Sequence, residues 1–123
     1  MGKQRWLRVL LAVGGLLFLF WAVFMLFFPA TGHNMMASAQ PFDRSTTQMF
    51  GGALLALVLG TVMGLRDPIG TKEVVRLMAM AFSIIFVVAI YSMVSGYMDI
   101  KPPTVVSLVV DGLVALGLIL LRP

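Results

Sequence analysis

The chain has 123 residues, of which 60% are hydrophobic and 11% charged, and a formal net charge of +4. Soluble domains are usually about 25% charged, so the composition speaks against an ordinary soluble enzyme. The lack of cysteine excludes disulfides, thiolate catalysis and Cys-ligated zinc or iron–sulfur centres. The basic pI of about 10.1 does not point to nucleic acid, because the basic residues form no single large patch. They stand at the ends of apolar runs, where anionic headgroups and membrane orientation account for them.

Four such runs fill the chain, at 7–28, 46–65, 74–97 and 104–121. Each has about the 17–25 residues an α-helix needs to cross a bilayer core. Within lipid every backbone polar group must be paired inside its segment, so all four are read as helices. They take up most of the chain, and we expect no soluble catalytic domain beside them.

The first run follows Lys3, Arg5 and Arg8. A basic start before an apolar stretch also describes a signal peptide, and Ala37-Ser38-Ala39 resembles a cleavage motif. The run is about 22 residues against roughly 7–15 for a signal core, so we read an uncleaved helix. Pro29 and Gly32 are expected to stop it. From Val9 to Phe28 its one polar side chain is Trp21. Trp6 at one end, and Trp21, Phe24, Phe27 and Phe28 at the other, read as an interfacial aromatic belt.

The stretch 29–48 is the longest polar segment and reads as a loop. In it His33 lies beside Met35 and Met36, side chains copper accepts as ligands, but the signal is weak and the segment reads as a plain loop. One His with no second His and no Cys does not make a metal site, and no cofactor is expected. Asp43-Arg44 reads as a local ion pair or a partner contact.

Ser45, Thr46 and Thr47 offer oxygens to cap the second helix. Its clearest pattern is Gly52, Ala56, Gly60 and Gly64, recurring every four residues. Such a groove of small side chains lets helices approach closely. It serves either a second copy or partner, or packing within the same chain. Weaker versions occur at Gly14 and Gly15, Ala79 and Ser83, and Gly112 and Gly117. Arg66-Asp67-Pro68-Ile69-Gly70 is a tight turn, with Gly70 read as tolerating positive φ. Thr71 is placed to cap the third helix, with Glu73 in its first turn. Gly96 weakens that helix near its end, where Tyr97 joins the belt. Pro102 and Pro103 then break the path, and Thr104 starts the last helix. The ten methionines fall mostly within the runs and read as adaptable packing.

Asp111 is the one ionisable residue well inside a run. A carboxylate there costs about 2.5–3.5 kcal/mol on insertion scales, so it should face other helices or a wet cavity. Thr104, Ser107 and Asp111 form a polar stripe at i, i+3 and i+7. Antiparallel counting brings Tyr91 and Ser92, and also Trp21, to a similar depth. Asp111, Ser107, Tyr91 and Ser92 are therefore the candidate polar site, either for a proton or a cation or as bonds holding the third and fourth helices together.

Short connections make the charge count meaningful. Lys3, Arg5, Arg8, Arg66, Lys72, Arg76 and Arg122 gather on one side, and Arg44 and Lys101 on the other. This asymmetry puts both termini in the cytoplasm and the protein in the cytoplasmic membrane. The expected fold is all-α, an antiparallel four-helix bundle running up-down-up-down in a single domain over 1–123.

In layout the chain resembles the small bacterial four-helix membrane proteins classed as domains of unknown function. The likeness rests on the basic start, a proline ending helix one, a glycine-rich second helix, a short basic turn and a proline before helix four. It implies no activity and adds no functional residues. Small multidrug transporters centre on a glutamate in the first helix, and the first run here has no acidic residue. Fluoride channels carry an intramembrane glycine-arginine motif and insert in both directions, and neither is seen here.

No nucleotide loop, catalytic triad, paired carboxylates or metal-ligand cluster stands in the sequence. We expect no enzyme. The expected role is a structural, accessory or interaction subunit, as a homo-oligomer or within a larger membrane complex. A small proton- or cation-coupled transporter using Asp111 is the alternative. A third reading, a membrane-embedded enzyme subunit binding quinone or lipid between its helices, needs a lined pocket.

Overall fold

The structure is a computed structural model and describes residues 2–36, 41–96, 98 and 100–121. Ala37-Ser38-Ala39, Tyr97 and Arg122, invoked above, lie outside the described residues. The described chain is all-α. Its helices are α1 (Gly2–Phe27), α2 (Pro29–Met36), α3 (Arg44–Arg66), α4 (Lys72–Val94) and α5 (Pro102–Leu121). Four of them, α1, α3, α4 and α5, are long and apolar enough to cross a membrane.

The ends of these helices differ from the sequence reading for local reasons. Pro29 does not end the helical path. Phe28 N–H still donates to the Phe24 carbonyl, and Gly32 N–H to the Phe28 carbonyl, each at 2.9 Å. Pro29 is the first residue of α2, where its missing N–H leaves nothing unpaired. A Cβ on Gly32 would stand 3.1–3.2 Å from the Met25 sulfur and the Phe24 carbonyl, so the glycine lets α2 fold back on α1. Much of the expected loop is thus a short helix.

Asp43, not Ser45, Thr46 or Thr47, holds the N-cap of α3 in extended backbone. Its carbonyl accepts from Thr47 N–H at 3.0 Å. The Thr46 hydroxyl donates to the Asp43 carboxylate and holds that group below its usual range. After α3, the Asp67 carboxylate accepts the Gly70 N–H at 2.9 Å; Thr71 holds the N-cap of α4 as expected, but its hydroxyl donates back to the Asp67 carbonyl at 2.6 Å rather than into the first turn of α4. Gly70 is needed for room, because a Cβ would run into the Asp67 carboxylate. The positive φ belongs to Gly96, at 81°, just after α4 ends at Val94. Pro102 and Pro103 do not precede α5 but form its first turn.

The register between helices follows from close contacts. Gly64, Thr61 and Gly51 of α3 meet Leu11, Gly15 and Met25 of α1 in turn, so the two run in opposite directions. Gly117 of α5 meets Leu10, Val114 meets Gly14, and Ser107 meets Trp21, again with reversed direction. α4 touches α3 where Met78 and Val75 reach Gly60 and Gly64, and α5 where Phe86 covers Gly112. Across the middle α1 and α4 meet through Phe18 and Phe82, stacked with ring centroids 4.4 Å apart. Both ends of the described chain and the α3–α4 turn gather at one end, here the terminus end. α2 and the α4–α5 connection lie at the other, the loop end.

Polar links tie both ends. Arg8 Nε donates to the Leu65 carbonyl at 3.2 Å, a cation at the C-terminal carbonyls of α3. Gln48 Nε2 donates to the Leu26 carbonyl at 3.1 Å. The small-residue groove of α3 is split. Gly60 and Gly64 pack inside, whereas a Cβ on Gly52 would meet nothing within 4 Å and Ala56 is exposed. Gly51, Leu54 and Thr61 face the interior instead. One residue turns a helix by about 100°, so an interior at Gly51 leaves Gly52 outside.

Candidate ligand-binding cavity

Asp111 lies nine positions into α5, about 14 Å from its start at the usual helical rise. That is near the middle of the helix, deeper than a start at Thr104 implied. Its side chain is only 4% exposed, and neither carboxyl oxygen has a hydrogen-bond partner among the described residues. Two turns toward the loop end, the buried Thr104 hydroxyl is unpartnered as well. Orphaned buried polar atoms are uncommon in folded proteins and call for an explanation.

Both side chains line a cavity of about 360 Å³, within the roughly 300–1,000 Å³ usual for small-molecule sites. α1 supplies Leu17, Phe18 and Trp21 to it. α3 supplies Phe50 and Leu54, and α4 supplies Ile84, Val88, Ala89 and Ser92 among others. α5 supplies the stripe Thr104, Ser107 and Asp111. The walls are apolar except along this stripe and at Ser92 and the Trp21 indole. Among the described residues Asp111 is the one ionisable group in the lining.

The cavity exists because α3 and α4 make their close contacts toward the terminus end, at Gly60 with Met78 and Gly64 with Val75. Toward the loop end, Phe50 and Leu54 on one side and Ile84 and Val88 on the other stand as opposite walls. Phe50, Ile84 and Val88 are also exposed on the outer flank, so the cavity opens sideways between the two helices. Toward the terminus end Phe18 lines it, backed by the Phe82 ring stacked on it. A side chain at Gly14 would displace the Phe82 ring, so that glycine keeps the backing in place. Beneath it Val114, Leu118, Leu11 and Leu7 are buried and apolar.

Of the four residues expected to form the polar site, Asp111, Ser107 and Ser92 share this cavity. Tyr91 is 61% exposed and outside its lining. Trp21, read as part of an aromatic belt, is instead 6% exposed, and its indole N–H donates to the Ser107 hydroxyl at 2.9 Å. Trp6, Phe27 and Phe28 are exposed. No known protein family, curated protein or solved structure matches the chain. Its chemistry therefore has to be read from the cavity itself.

Away from the cavity, His33 sits edge-on to the Phe42 ring at 5.4 Å, and Met35 packs against the core. Those contacts give the two side chains separate packing roles. The apolar cavity walls were missed in the sequence because Phe50, Leu54, Ile84 and Val88 carry no sign that distinguishes a wall from any other buried or exposed helix face.

Proposed function

We propose that this chain is a multi-pass protein of the cytoplasmic membrane that works by binding rather than catalysis. In this reading it is an up-down-up-down bundle with both termini in the cytoplasm. It holds a membrane-dissolved ligand with an apolar body and one polar end, as an accessory or interaction component. The observation that carries the reading is the buried, unpartnered Asp111 carboxyl lining a sideways-opening apolar cavity. A single ionisable group can hold or orient a ligand, whereas acid–base or nucleophilic catalysis calls for cooperating groups. The cavity is also the lined pocket that the lipid or quinone reading required.

The test is mild-detergent purification of the full chain followed by mass spectrometry of bound small molecules. The expected outcome is one amphiphile retained near stoichiometry. Ala89→Phe, which fills the cavity from α4, should release it while the helix content stays unchanged. Equal retention by both proteins would overturn the reading. Partner chains that co-purify at fixed ratio would support the accessory form.

The mid-helix position of Asp111 favours a second reading, proton- or cation-coupled transport. That reading needs a route to the terminus end, and the Phe18–Phe82 stack with Val114 and Leu118 fills it. Gradient-driven uptake in proteoliposomes, lost in Asp111→Asn, would establish it.

A further inference from the structure

Resting on that binding reading, we infer that the ligand is an amine-headed amphiphile, with its ammonium on Asp111 and its apolar body leading out between α3 and α4. At Asp111 the unmet demand is for donors and positive charge, whereas the unpartnered Thr104 hydroxyl can donate as well as accept. Both Asp111 oxygens are acceptors without partners. The indole N–H of Trp21, the nitrogen donor in the lining, is already given to Ser107. Among the described residues the lining contains no Lys, Arg or His to neutralise the acid.

A primary ammonium brings three N–H donors and a unit charge in one small group. It therefore reaches both orphaned oxygens and removes the cost of an unpaired buried carboxylate. Phe18, Trp21 and Phe50 supply aromatic walls, the residue types that attract cations through their ring faces. Phosphate- or carboxylate-headed lipids would set like charge against Asp111. Esters and quinones bring acceptors alone, offer nothing to a carboxylate, and would meet only the single O–H of the neutral acid or the lining hydroxyls. The body of the ligand needs only an apolar exit, and the rim at Phe50, Ile84 and Val88 is one.

The test uses the full chain in phosphatidylcholine nanodiscs. The sequence has two tryptophans, so Trp6→Phe leaves Trp21, in the cavity wall, as the reporter. The probes are 6-bromohexylammonium and 6-bromohexanol, which share a body and a bromine quencher and differ in the head. Saturable quenching by the ammonium is expected, with the alcohol weaker by about tenfold or more, the scale of removing one partner of a buried charge pair. Asp111→Asn in the Trp6→Phe background should bring the two probes level. Equal, saturable quenching by both in the unmodified cavity overturns the amine inference and leaves the binding reading standing. Quenching that rises linearly with both probes, as from bulk lipid alone, overturns both. The comparison of heads needs no variant at Asp111, so misfolding of that variant does not rescue the proposal.

Discussion

Asp111 stands on a helix whose neighbouring buried residues are Val114, Ala115 and Leu118, and no described group bonds to it. A buried polar group left unmet costs about 1–3 kcal/mol. Asp111→Leu should therefore stabilise the ligand-free protein by about that amount, read as a higher thermal midpoint in detergent. A lower midpoint would mean that the carboxyl serves as a bond between helices. Trp21 gives the opposite case, a polar atom fully used: its indole is joined to Ser107, and the two lie 86 positions apart. Antiparallel counting puts Trp21 at the depth of the stripe, but a Trp toward one end of an apolar run suits an interface equally well, and the bond itself shows only in the fold. The stripe Thr104, Ser107, Asp111 was legible because helical periodicity alone puts those three on one face.

At the scale of the helix, α1 and α3 are held by small residues meeting large ones. A Cβ on Gly15 would stand 2.7 Å from the Thr61 hydroxyl oxygen, whereas one on Gly52 would touch nothing. Gly15→Leu should lower stability by about 1–3 kcal/mol, as overpacking does. Gly52→Leu should stay within about 0.5 kcal/mol. Parallel unfolding in one detergent checks both, and equal losses would contradict the rotation of α3 described above. That rotation was hidden in the sequence. Gly51 and Gly52 are adjacent and alike, and the four-residue spacing from Gly52 to Gly64 describes a real groove of which only one half is covered. The runs themselves were plain, because length and hydropathy are local properties. The helix α2 was not, since its fold-back depends on Gly32 lying against Phe24 and Met25.

For the molecule as a whole, the proposed orientation has a direct check, because the chain has no cysteine to confuse labelling. Lys101→Cys should react with an impermeant maleimide on intact cells, and Lys72→Cys only after permeabilisation. The reverse pattern would invert the topology, and labelling of both in intact cells would break the assignment of sides. The same asymmetry of ends bears on the cavity. Phe18, backed by Phe82, lines it toward the terminus end, and its walls part toward the loop end. An occupant would therefore have access from the flank, with the terminus-end half as a packed base.

The gap between α3 and α4 leaves the cavity without a protein wall on one side, so in a bilayer the surrounding acyl chains complete it. A molecule moving from the bilayer into such a site exchanges one hydrocarbon neighbourhood for another, and its tail gains little, because lipid tails are as apolar as leucine. Discrimination then falls on the head group and the stripe it meets. For the proposed ligand, affinity would properly be a mole fraction of the membrane rather than a concentration in water. Two ligands with the same head and different tails would differ in how much reaches the membrane, and hardly at all in how well the site holds them.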